Sequence, residues 1–201
     1  MLTSETTYSE GCALEELRCI NCGKRTPVKF TPSLGLKHMA SFEEALKKTL
    51  LLEGDSYVND SADPGGETMY GISRRAHPEA WADGIPTLER ASQIYKDHYW
   101  DPQYYTIESQ EVASELMEFG VVAGKTASIT LIQRALKESG FRGILVDGIF
   151  GPSTLYFINM ADPEILLREF RIEQIIRFVK ICEERPVLKK FFRGWLKRVL
   201  I

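Results

Sequence analysis

From Phe42 onward the apolar positions fall into helical register. Phe42, Ala45, Leu46, Thr49, Leu50 and Leu52 recur at steps of three and four, the spacing of one face of an α-helix. Ser41 is placed to cap its start ahead of Glu44, and Gly54 to stop it just after Glu53. Further along, Ile129, Ile132 and Leu136, with Leu131 and Ala135, share another helical face, which Gly140-Phe141-Arg142-Gly143 ends. Asp147-Gly148 followed by Gly151-Pro152 predicts a turn leading into a helix with Pro152 near its first position. From Pro163 to Val179, Ile165, Leu166, Phe170, Ile172, Ile176 and Val179 predict a long helix with interleaved arginines. Only one segment departs from this period. Thr68, Tyr70 and Ile72 alternate with Met69, Gly71 and Ser73, the mark of a short strand or hairpin edge. The predicted fold class is mainly α.

Composition narrows the class. A chain of 201 residues with 44% hydrophobic content can bury one substantial core. The net charge of −3 is unevenly spread: from residue 164 onward ten Lys/Arg face five Glu, a net +5, which leaves −8 for the rest. With a pI near 5.7 and an acidic body, nucleic acid is a poor partner. No run of about 18 apolar residues suits a membrane span. The first thirty residues lack the order of a secretory signal, so synthesis in the cytoplasm is expected, with stable membrane insertion excluded.

The four cysteines do not form a disulfide framework in a chain of this length. Cys19-Ile20-Asn21-Cys22 has the spacing of half a zinc knuckle, but a structural site takes four ligands and there is no second such pair. Cys12 and His38 are the available completions, and a flexible arm with free thiols is the competing reading. The run Arg18 to Lys24 resembles the start of the small zinc-dependent translational regulators of Mu-like phages. Residues 1–40 are therefore read as an N-terminal extension, with Met39 as a second point at which the chain proper begins. Cys182, in an apolar helix, reads as a small buried hydrophobe.

The chemistry concentrates between Glu53 and Ser73. A carboxyl at the C-terminal end of a helix faces the negative end of the helix dipole beside apolar groups, and both disfavour ionisation. That suits a general acid. Asp55, Asp60, Asp63 and Glu67 follow, with Pro64-Gly65-Gly66 turning the chain. No register of this loop gives the alternating oxygen ligands of a calcium loop. A solvated acidic turn explains the aspartates alone. Glycoside hydrolysis explains the helix-end Glu, a nearby Asp, a hydroxyl and two tyrosines, Tyr57 and Tyr70, suited to flank a sugar ring. Trp81 and Trp100 are candidates to line a sugar groove or to enter the core. His77 and His98 read as packing residues without partners for a metal, so neither a metal site nor a cofactor is expected.

Asn59-Asp60, Asp63-Pro64-Gly65-Gly66, Thr68 and Gly71-Ile72-Ser73 resemble the signature of the family 108 glycoside hydrolases, N-acetylmuramidases of phages and bacteria once described as secretion activators. One departure is plain. The family usually reads Glu-Gly-Gly-Tyr, where this chain has Glu53-Gly54-Asp55-Ser56-Tyr57. The resemblance continues through Tyr95 to Asp101, Ala113 to Gly124 and Ile132-Gln133-Arg134-Ala135-Leu136. The family's peptidoglycan-binding module is echoed by Val146 to Thr154 and by Phe170 to Val199.

This resemblance implies a lysozyme-like helical domain with a short β-hairpin or loop at the active site, over 41–125, and an integral C-terminal helical module over 126–201. It implies cleavage of the β-1,4 bond between N-acetylmuramic acid and N-acetylglucosamine, with Glu53 as general acid. Asp63 or Asp60 would fill the second role, and Thr68 would hold a water. Tyr57, Asn59, Asp60, Tyr70 and Trp100 are the expected substrate-binding residues. The expected partner is peptidoglycan, met in the cell wall after export through a holin or secretion system, by a monomer. A binding-only wall module or export helper is the alternative, motivated by the irregular Glu53 to Ser56 segment.

Overall fold

The computed structural model describes residues 16–18, 25–27, 39–59 and 66–200. Contacts divide the chain into two units, Met1–Leu36 and Lys37–Ile201. In the first, β1 (Glu16–Arg18) pairs antiparallel with β2 (Arg25–Pro27), with Leu17 opposite Thr26. Cys12, Cys19, Cys22 and His38 lie outside the described residues.

The second unit is helical. Helix α1 (Phe42–Glu53) starts where the Ser41 hydroxyl accepts from the Glu44 amide and stops at Gly54, as the sequence predicts. A hairpin of β3 (Thr68–Met69) and β4 (Ile72–Ser73) follows. Helices α2 (Leu88–His98), α3 (Gln110–Ala123), α4 (Lys125–Glu138), α5 (Pro152–Met160), α6 (Pro163–Glu184) and α7 (Lys189–Leu200) complete it. Pro152 and Pro163 each sit in the first turn of their helix, where a missing N–H costs nothing. No helix among the described residues is long and apolar enough to cross a membrane.

Helix α3 is the axis. Every residue from Val112 to Gly120 is buried, the pattern of a helix enclosed on all sides, and it packs on α1, α4 and α6. Two of those buried residues are carboxylates. Glu115, 1% exposed, meets Lys48 of α1 at 2.9 Å and Arg171 of α6 at 3.6 Å. It also accepts from Gln174 Nε2 at 3.2 Å. Charge pairing from two neighbouring helices offsets the desolvation of this group.

A second buried polar group ties α4 to the turn before α5. Gln133 is 1% exposed, and its Oε1 accepts from the amides of Asp147 and Gly148 at 3.0 and 2.9 Å. Its Nε2 donates to Asp147 Oδ1, the Ile149 carbonyl and Thr154 Oγ1. Only glycine fits at 148: φ is +75°, and a Cβ there would lie 2.9 Å from both Thr126 Cγ2 and Thr130 Oγ1. Gln133→Leu keeps the volume but strands the Asp147 and Gly148 amides, while Thr154 Oγ1 still donates to the Ile149 carbonyl. It is expected to lower unfolding free energy by roughly 2–4 kcal/mol in urea titration, with little change in helix content.

Candidate functional site

Glu53 closes α1 and is half-buried, its side chain 16% exposed. Three elements converge on it. The first is the hairpin. Tyr70 and Gly71 form its two-residue tip with φ of +52° and +73°, the geometry of a type I′ turn. A tyrosine at positive φ is strained and persists only where its surroundings hold it. Here the Tyr95 hydroxyl of α2 donates to the Tyr70 carbonyl at 2.9 Å. A Cβ on Gly71 would stand 2.6 Å from Tyr95 Oη and 2.8 Å from both Cβ and Cγ of Glu53. The turn tip is pressed against the carboxylate-bearing side chain.

The second is α2. Burial, with the nearby Glu53 charge next in weight, raises the Tyr95 and Tyr99 phenols above their ordinary value. Both stay neutral hydrogen-bonding groups at physiological pH. The third is the last turn of α7. Arg198 Nη1 donates to Glu53 Oε1 at 2.6 Å across 145 residues of sequence. Its guanidinium is held further above its ordinary value, chiefly by that hydrogen bond. Arg198 is thus drawn into the site, while other basic positions of α7 such as Lys190 and Arg193 stay exposed. One side of α7 packs inward, with Trp195 stacked on Phe178 of α6 at 5.0 Å and Val199 buried, while Phe191 and Leu200 stay exposed. That packing turns Arg198 towards the site.

Glu118 of α3, 3% exposed, interacts electrostatically with both Glu53 and Arg198. Its carboxyl is pushed up to about 7, first by burial and then by Glu115, with Glu53 adding to the rise; Lys48 and Arg198 oppose it. The charged arginine thus faces one exposed-edge carboxylate and one buried one.

The loop beyond Gly54 returns to the hairpin through Val58, whose amide and carbonyl pair with Thr68 at 2.9 and 2.8 Å. Tyr57 is exposed. Its hydroxyl donates to Glu67 Oε1 at 2.8 Å, and Glu67 is paired with Arg74. The Tyr57 ring lies 6.5 Å from that of Trp81. Asn59 is exposed and Thr68 half-buried, its hydroxyl donating to the Gly66 carbonyl at 3.3 Å. Asp60 and Asp63 lie outside the described residues. Trp100 does not line a groove: it is 3% exposed, wedged edge-on among Phe42, Tyr104 and Tyr105. Its size was better used closing the core between α1 and the segment after α2. Trp81 is buried too.

The two histidines also differ from their expected isolation. A 3₁₀ turn at Pro78–Trp81 brings Glu79 between His77 and His98, so that the three ligand atoms lie within 4.8 Å of one another. Residues 77 and 98 come together because the turn folds back on the C-terminal end of α2, which spacing along the chain does not show.

The chain matches two family models in succession. Residues 46–124 match the model described as glycosyl hydrolase 108, and residues 127–200 that described as predicted peptidoglycan domain. No curated protein matches. Among solved structures, that of Brucella abortus SagA superposes with a TM-score of 0.62 at 23% identity, covering 79% of this chain and 88% of that one. It shares the fold.

Gly71→Ala is expected to cost about 1–3 kcal/mol of stability and to slow hydrolysis by displacing Glu53, read by thermal melting and by release of reducing ends. Glu118 generates a pH prediction. Its folded-state value, about 7, exceeds the ordinary 4.5, so the native state binds the extra proton. The stability this provides is full below about pH 4.5 and is lost as pH rises to 7. Glu118→Gln is expected to flatten that loss by roughly 1–3 kcal/mol, measured as unfolding free energy at pH 4.5 and 7.5.

Proposed function

The chain belongs to the glycosyl hydrolase 108 family, a glycoside hydrolase acting on peptidoglycan, and from that premise we propose that it is an N-acetylmuramidase with Glu53 as its general acid. The supporting observation is the convergence on one carboxylate of a helix end, a strained hairpin tip and an arginine from the last helix. Sites that hold a group this tightly by several elements are those where a proton must be delivered along one direction.

Arg198 occupies Oε1 of Glu53, which leaves Oε2 for the glycosidic oxygen. Glu53 protonates that oxygen as the bond to the N-acetylmuramic acid ring breaks, and positive charge spreads over the ring carbon and its oxygen. Asp63 or Asp60, in the stretch of sequence between Val58 and Thr68, supplies the second carboxylate, which steadies that charge or activates water. Thr68 orients the water. Tyr57, exposed beside Trp81, offers its ring face to a neighbouring sugar. The C-terminal module, by furnishing Arg198, acts on the chemistry as well as on the polymer.

Wild type is expected to clear suspensions of purified peptidoglycan, and Glu53→Gln to lose roughly 10²–10⁴-fold of that rate. The reducing ends released should be N-acetylmuramic acid. Equal clearing by both proteins would remove Glu53 from the role, and N-acetylglucosamine reducing ends would replace the muramidase by a glucosaminidase.

A further inference from the structure

His77, Glu79 and His98 form a cluster that the hydrolytic reading does not use. Glu79 Oε1 lies 3.1 Å from His77 Nδ1 and 3.6 Å from His98 Nε2. The edge of a tetrahedron with metal–ligand bonds of about 2.0–2.1 Å is roughly 3.3–3.4 Å. One carboxylate oxygen therefore faces two imidazole nitrogens at the separations that ligands of a single ion take. A cation can serve all three atoms together.

The surroundings fit a built site. His77 is only 7% exposed, and its other nitrogen, Nε2, is 2.9 Å from the Tyr99 hydroxyl. An accepting Tyr99 oxygen places the ring proton on Nε2 and leaves Nδ1 as the free lone pair, the arrangement by which outer partners orient a metal-binding histidine. Arg90 donates to the backbone carbonyl of Glu79 at 3.1 Å and so fixes the turn. His98 and Glu79 are about half exposed, which gives an ion access from solvent.

We propose that His77 Nδ1, Glu79 Oε1 and His98 Nε2 bind one Zn²⁺ ion, with water in the fourth position. Two imidazoles and a carboxylate are the donor set of a borderline-soft divalent ion, and unsuited to Ca²⁺ or Mg²⁺. The ion clamps the Pro78–Trp81 turn to the end of α2. It thereby holds Trp81, against which Tyr57 rests, and Tyr99, whose ring lies 5.8 Å from that of Tyr95.

The test is calorimetric titration of ZnCl₂ into the full chain carrying Cys12→Ser, Cys19→Ser and Cys22→Ser, which removes the three N-terminal thiols as competing ligands and leaves only the buried Cys182. One ion should bind per chain. His98→Ala and Glu79→Gln, at half-exposed positions, should each lower affinity more than tenfold while melting cooperatively without zinc. Tyr99→Phe should lower it about 10–100-fold. At a hundredfold excess of Zn²⁺ over its Kd, Tm should rise on the order of 5 °C in the triple-serine chain and stay fixed in His98→Ala. Absence of saturable binding to the triple-serine chain, or a less than tenfold effect of both His98→Ala and Glu79→Gln, overturns the site.

Discussion

The contact between Arg198 and Glu53 joins the last helix to the end of the first helix of the second unit. It makes the carboxylate's position depend on everything between them. α7 is placed by Phe178, Trp195 and Val199 against α6; α6 packs on α4 and α3; α3 packs on α1. An error anywhere in that circuit would separate guanidinium from carboxylate. The two matched regions meet at Gly124–Ala127, but they are not independent at the level of chemistry. A side chain from the region that matches the peptidoglycan domain holds Glu53 of the region that matches the hydrolase.

The same circuit explains why α3 carries two carboxylates, Glu115 and Glu118, within its buried stretch from Val112 to Gly120. Glu115 is neutralised by cations from both neighbours, Lys48 and Arg171. Glu118, one turn on, lies in the field of Arg198 and has its proton held to about pH 7. Buried ionisable groups are costly, and a well-packed apolar pair is often as stable. Glu118 interacts electrostatically with both Glu53 and Arg198, and perturbed ionisable groups of this kind cluster at functional sites.

Local signals in the sequence carried far. Ser41, Gly54, Pro152 and Pro163 mark helix ends because each acts through the backbone within one turn, and the structure agrees at each. The hairpin at Thr68–Ser73 was legible from alternation, and the buried state of Cys182 from its apolar helix. What stayed hidden depends on long-range packing. Arg198 looks like any surface cation, and its rotation inward follows from which face of α7 meets α6. Trp100 suits a sugar groove by type but fills the core by position. His77 and His98, each solitary in the chain, become neighbours only after the turn at Pro78 closes. Tyr70 and Gly71 offered a usable clue, since a Tyr-Gly pair between two short strands demands two positive φ values.

The measurement that bears most directly on the proposed role of Glu53, held in place from the C-terminal module, is the rate at which Arg198→Met and Arg198→Lys release reducing ends from purified peptidoglycan, beside wild type. Loss of the 2.6 Å contact that fixes Oε1 of Glu53 should slow Arg198→Met by about tenfold or more, in a variant that still melts cooperatively and still sediments with peptidoglycan, and Arg198→Lys should recover part of the rate. Wild-type hydrolysis by Arg198→Met would contradict the account, since the carboxylate that acts in hydrolysis would then not depend on the group that Arg198 holds.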